Sequence, residues 1–112
     1  MGTIKKGLGV FATTIGSFEY GTIYTGIGLG KTAVGEYHSG NAYKGIGWFN
    51  SVIGCYSDGA IYSGIGWGKK QVGYCKDGYV YKGMGVLATQ IGTYDGNDID
   101  GACAAALLLF EW

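Results

Sequence analysis

Residues Gly26 to Thr32 read GIGLGKT, close to the glycine-rich loop that cradles phosphates ahead of a helix. That loop needs a glycine where this chain has Thr25, and the same phase of later segments reads GIGWFNS and GIGWGKK. The glycines therefore belong to an internal repeat, and no helix is expected to follow them and lend its N-terminus to a phosphate. His38 is the single histidine, beside Tyr37 and just ahead of a turn; no serine or cysteine is placed near it as a nucleophile. Asp95, Asp98 and Asp100 gather around Asn97, but the spacing lacks the bidentate glutamate of a calcium loop and reads as a solvated acidic turn. Cys55, Cys75 and Cys103 form no CxxC pair and are odd in number, so they read as reduced, partly buried thiols. These observations point to a non-enzymatic protein with no catalytic residues, no metal and no cofactor.

Aromatic residues are the better candidates for a binding surface. Val10, Leu29, Trp48, Trp67 and Val86 occupy one repeat position, at the open end of a strand. Trp48 with Phe49, and Trp67 with Lys69 and Lys70, would stand on adjacent loops as an apolar platform edged by ammonium groups. A flat amphipathic ring offers contact area at little entropic cost, which suits a protein or a carbohydrate ligand. The competing reading makes both indoles core residues, filling space where other copies use Val or Leu.

What must position these residues is a strict period. Gly-x-Gly recurs at Gly7, Gly26, Gly45, Gly64 and Gly83, and an aliphatic-Gly pair recurs at Gly16, Gly35, Gly54, Gly73 and Gly92, each with a step of 19. The five copies run 2–20, 21–39, 40–58, 59–77 and 78–96, with a closing segment 97–112, all within a single domain 1–112. Such a period marks one supersecondary unit repeated in space. Each copy holds two runs of about six residues, rich in Ile, Tyr and Val, which is strand length. Tyr20-Gly21, Ser39-Gly40, Asp58-Gly59 and Asp77-Gly78 fit two-residue type I′ turns. Proline is absent, as suits an uninterrupted antiparallel ladder.

With Asp58-Gly59 as the loop, Tyr56 faces Ile61, Cys55 faces Tyr62, and Ile53 faces Gly64. The empty glycine position then makes room for the branched side chain. Alternation puts Ile53, Cys55 and Tyr62 on one face, and Gly54, Tyr56 and Ile61 on the other. Neither face is polar, so both should be covered: one turned inward, the other against the next hairpin. The expected fold is all-β, antiparallel hairpins set around a pseudo-symmetry axis as a closed ring.

Runs such as YSDGAIYSGIGWGKKQVGYCKDGYVYKGMG resemble the bacterial four-fold β-flower repeat family, over about residues 15 to 101. The resemblance implies hairpins arranged as petals and no established activity. Four complete hairpins (15–28, 34–47, 53–66, 72–85) match its symmetry; an irregular fifth around Gly96-Asn97 and an extra strand at the start depart from it. In the tail, propensity favours a helix over Ala102 to Phe110. Closure favours a last strand pairing with Thr3 to Gly9, and we lean to the strand.

Size and charge bound the rest. The 112 residues suffice for one core, and 47% are apolar. Net charge is zero and every basic residue is lysine, which argues against nucleic acid. No secretory signal is evident, and the longest apolar stretch is about half the ~20 residues a bilayer span needs, so neither a membrane nor an extracellular location is expected. A cytoplasmic interaction module binding a protein or carbohydrate is the first expectation. A self-associating structural subunit, hence a homo-oligomer, is the alternative, and a small hydrolase using His38 comes third.

Overall fold

A computed structural model describes residues 2–112. Ten strands close into one antiparallel barrel: β1 (Gly2–Lys6), β2 (Thr13–Glu19), β3 (Thr22–Thr25), β4 (Thr32–His38), β5 (Asn41–Lys44), β6 (Ser51–Ser57), β7 (Ala60–Ser63), β8 (Lys70–Lys76), β9 (Tyr79–Lys82) and β10 (Thr89–Tyr94). Neighbours in sequence are neighbours in the barrel, and β1 pairs with β10 to close it. A single helix, α1 (Ile99–Leu109), follows.

The turns behave as their residues dictate. Tyr20, Ser39, Asp58 and Asp77 sit at φ between 47° and 54°, each followed by a glycine at φ 83° to 88°, the conformation of a type I′ turn. The predicted register holds: Tyr56 pairs with Ile61 and Cys55 with Tyr62, and the Gly64 N–H donates to the Ile53 carbonyl at 3.1 Å. The reason for Gly64 is different from the one expected. It stands at φ +79°, and a Cβ there would meet the Gly68 carbonyl only at 3.4 Å. Gly64 is needed for its backbone angle and not to accommodate Ile53.

The four internal hairpins are β2–β3, β4–β5, β6–β7 and β8–β9. The fifth is assembled from the two ends of the chain. The Gly7 N–H donates to Ile91 O at 2.9 Å, as Gly26 does to Ile15 and Gly45 to Val34. The irregular hairpin expected around Gly96-Asn97 is therefore not formed; β10 and β1 supply that petal, and the ring is five-fold. Where β1, β3, β5, β7 and β9 meet the following strand, the register slips by one residue, or between Gln90 and Gly92 in the last case. Such bulges bend a strand and raise its twist, and the molecule is correspondingly flattened, 39 × 39 × 22 Å.

Closure by β1 and β10 removes the reason for a final strand, and the tail follows its propensity instead. Residues Ala102 to Ala106 of α1 are wholly buried. A helix apolar on all sides must be enclosed, and this one fills the barrel. It enters at the two-residue-turn end, where Ile99 lies beside Gly59, and points toward the longer loops.

Wall and helix are complementary in size along this axis. Phe18, Tyr37, Tyr56, Cys75 and Tyr94, at equivalent positions near the turns, surround the small residues Gly101 to Ala105. A Cβ on Gly101 would lie 2.5 Å from the Phe18 ring. One layer on stand Ile4, Ile23, Ala42, Ile61 and Val80, all wholly buried. Nearest the loops the wall is a ring of glycines, each facing one large tail residue: Gly16 Leu109, Gly35 Leu108, Gly54 Leu107, Gly73 Trp112 and Gly92 Phe110. Small helix residues meet a bulky wall, and bulky helix residues meet a bare one. The outer face, carrying Cys55 and Tyr62, is half-buried; Ile53, expected on that face, is the extra residue of a bulge and packs against the core instead. The outer face does not pack face to face on the next hairpin as expected, because that hairpin is joined edge to edge through the ladder.

Candidate interaction surface

By topology, all five longer loops lie at one end of the barrel and the four two-residue turns at the other. Each longer loop contains one turn of 3-10 helix: Gly9–Phe11, Gly28–Gly30, Gly47–Phe49, Gly66–Gly68 and Gly85–Leu87. In the third, Gly45 at φ 94° and Gly47 at φ 64° swing the backbone through the left-handed region, and a Cβ on Gly47 would touch nothing. The residue after the second glycine of that turn, Trp48, projects into solvent.

Its exposure is close to complete in every copy: Val10 92%, Leu29 109%, Trp48 99%, Trp67 106% and Val86 101%. Phe49, Phe11 and Leu87 are exposed as well. The platform residues Trp48, Phe49, Trp67, Lys69 and Lys70 therefore all lie on the surface at the loop end, on two adjacent loops. The two indoles do not stack on one another, nor does either stack on another ring among the described residues. The competing idea of Trp48 and Trp67 as core is excluded by these exposures.

Sequence reasoning missed the remaining tips. Val10, Leu29 and Val86 share the tryptophan position, yet valine and leucine look like core when read alone. The signal was the repeat itself: whatever exposes one tip exposes all five.

Lysines flank the tips. The Lys69 Nζ lies 4.7 Å above the Tyr62 ring and the Lys31 Nζ 4.5 Å above the Tyr24 ring. These cation–π contacts draw the ammonium groups back along the wall, behind the tips. At the loop of Trp48, Glu36 accepts from Asn50 Nδ2 at 2.7 Å and holds that loop's exit.

The side chains that could have done chemistry serve the fold. His38 is exposed and stacks on Tyr43 at 4.7 Å. Its neighbour Tyr37 points to the opposite side of the wall, inward, and donates to Asp98 at 2.6 Å. Asp98 caps α1 by accepting from the Gly101 N–H at 2.9 Å. Asp95 accepts from both the N–H and the hydroxyl of Thr3, at 2.7 and 2.8 Å, tying the end of β10 to β1. Lys31 of the GKT run leads into strand β4 rather than a helix. No group of three or more candidate metal ligands occurs among the described residues.

Clefts lie away from the indoles. One of about 160 Å³ is lined by Thr14, Gly26, Ile27 and Lys31, among others. A larger one, about 470 Å³, lies at the turn end between Asp58–Ala60 and Tyr74–Asp77. No protein-family model matches the chain, nor does any curated protein or solved structure compared with it.

Proposed function

We propose that this chain is a non-enzymatic interaction module whose working surface is the loop end of the barrel. The observation that carries the reading is the exposure of five equivalent apolar tips on one rim. Isolated surface hydrophobes are ordinary, but an exposed apolar residue repeated at the same place on five loops of one rim calls for a partner. Sequence drift supports the same view: the tip position holds Val, Leu or Trp, residues that contribute contact area and nothing to the barrel they project from.

A small ligand such as a single sugar needs a concave site that encloses it. The tips are convex and spread around a ring, so the geometry favours an extended partner met by several loops at once.

The experiment replaces the five tips Val10, Leu29, Trp48, Trp67 and Val86 by serine. The variant is expected to melt within a few degrees of the parent and to lose whatever the parent binds in parallel lipid, glycan and self-association assays. Unfolding of the variant would make the tips structural, and undiminished binding would move the working surface elsewhere.

A further inference from the structure

We infer that the loop end docks on the surface of an anionic lipid bilayer, with the five tips entering the headgroup region and a belt of lysines meeting the lipid charges. The inference rests on the reading of the loop end as the working surface and names its partner.

The charges carry it. Every lysine except Lys76 lies on the loop half of the barrel, in the loops or in the strand residues leading to and from them. Every carboxylate except Glu36 and Glu111 lies on the turn half, in or beside the two-residue turns or at the start of α1. Formal neutrality thus conceals a molecule with one basic, apolar-tipped end and one acidic end. All the lysines are exposed. An anionic surface attracts the first end and repels the second, so long-range electrostatics alone would orient the barrel as it approaches.

Depth supports the same partner. The apolar tips stand foremost, and Lys31 and Lys69 are held behind them against Tyr24 and Tyr62. Apolar groups ahead of ammonium groups is the order in which a bilayer presents acyl chains behind phosphates. Tryptophan, at two of the five tips, is the side chain that prefers this boundary. Five-fold repetition places the tips on one circle about the barrel axis, so they can engage a flat surface together.

A second copy fits less well. Loop end against loop end would set lysines against lysines. Loop end against turn end would bury the tips on aspartates and exposed backbone turns. Surface docking departs from the expectation that a membrane is not a partner, whose ground was only the length that a span needs. Strands of four to seven residues do fall short of the ~9–11 a spanning barrel strand uses, but attachment to one face needs no span.

The test is flotation of the full chain with vesicles of phosphatidylcholine containing roughly one-third phosphatidylserine, against vesicles of phosphatidylcholine alone, at about 0.1 M salt. Indole emission is followed in parallel. Expected are partition onto the anionic vesicles with a blue shift, and at least about tenfold weaker partition on the neutral ones, at high salt, or in Lys69→Glu/Lys70→Glu. Trp48→Ser/Trp67→Ser should lose the blue shift as well as partition, while Asp58→Asn/Asp77→Asn at the far end should not weaken it. Circular dichroism melting confirms that each variant is folded.

Absence of partition onto the anionic vesicles overturns the inference, as does partition indifferent to both the lysine and the tip variants. If the parent ignores vesicles but self-associates or binds glycans through tips that the serine variant removes, the lipid partner falls and the loop-end reading stands. If tip variants change none of these properties, both fall.

Discussion

Trp112 closes the barrel over Gly73: its indole N–H donates to the Ala106 carbonyl at 3.0 Å while its ring lies 2.7 Å from where a Gly73 Cβ would be. The contact answers a mismatch of symmetry. A ring of five glycines cannot be met by a helix of 3.6 residues per turn. Leu107, Leu108 and Leu109 reach three of the glycines, and the chain must leave the helix for Phe110 and Trp112 to reach the other two. Trp112→Ala should therefore cost roughly 2–4 kcal/mol in chemical denaturation, from lost packing and a lost helix-end hydrogen bond. A variant as stable as the parent would mean that the last residues are decoration.

The two glycine classes should respond differently to a methyl group. At Gly54 an added Cβ runs into the Tyr62 carbonyl and lies 2.5 Å from Leu107, so backbone or helix must move. Gly54→Ala is expected to cost several kcal/mol, at the upper end of single-residue effects. At Gly64 the space is adequate and only the positive φ is lost, so Gly64→Ala should cost about 1–2 kcal/mol. Urea midpoints for the pair decide it, and the reverse order would contradict this account of the wall.

Much of this architecture could be read from the chain. The 19-residue step and the x-Gly turns determine strand pairing to the residue, as Tyr56 opposite Ile61 shows. Two things escaped. The N-terminal strand seemed to need a partner from the tail, because local pairing cannot reveal that β10 completes the ring from 90 residues away in sequence. Once that place is taken, the run GACAAALLLFEW reads as a taper, small then large, matched to a wall that goes from aromatic to glycine. Exposure of the Val10, Leu29 and Val86 tips escaped for another reason. Hydrophobicity is a one-way guide to burial, and it does not register the two positive-φ glycines that precede each tip and redirect the backbone there.

Asp98 joins the helix to the wall, with one oxygen on the Gly101 N–H and the other on the Tyr37 hydroxyl. Asp98→Ala removes an N-cap and leaves the buried phenol without its acceptor, for an expected loss of about 2–3 kcal/mol. Asp98→Asn retains a capping oxygen and should lose less than half of that. Equal losses in the two variants would argue that the charge, not the hydrogen bonding, matters.

Alkaline pH should loosen the barrel from within. Burial pushes the Tyr37 phenol far up, reinforced by its hydrogen bond to Asp98, and burial likewise raises Tyr56 and Tyr94. A phenol with a raised folded-state pKa binds its proton more tightly than in the unfolded chain. Stability is then fully present below the unfolded value of about 10 and falls as pH rises beyond it. Urea midpoints should decline as pH rises above about 10, and Tyr37→Phe should flatten that decline. A flat profile in the parent would show that the inward tyrosines ionise as freely as exposed ones.

The thiols should divide by location. Cys103 on α1 faces Cys75 on the wall, and the neighbouring thiol, with burial, pushes the Cys75 thiol well up. Cys55 lies on the outer face, half-exposed, with its Sγ 3.7 Å from the Gly64 carbonyl. The thiolate is the reactive species, so Cys75 should resist alkylation twice over, by inaccessibility and by protonation. With iodoacetamide near neutral pH, the folded protein is expected to take up one equivalent, at Cys55. Cys75 and Cys103 should react only as α1 leaves the barrel, at a rate that rises with urea and that Trp112→Ala accelerates. Rapid labelling of all three thiols in the folded parent would mean that the helix does not remain enclosed.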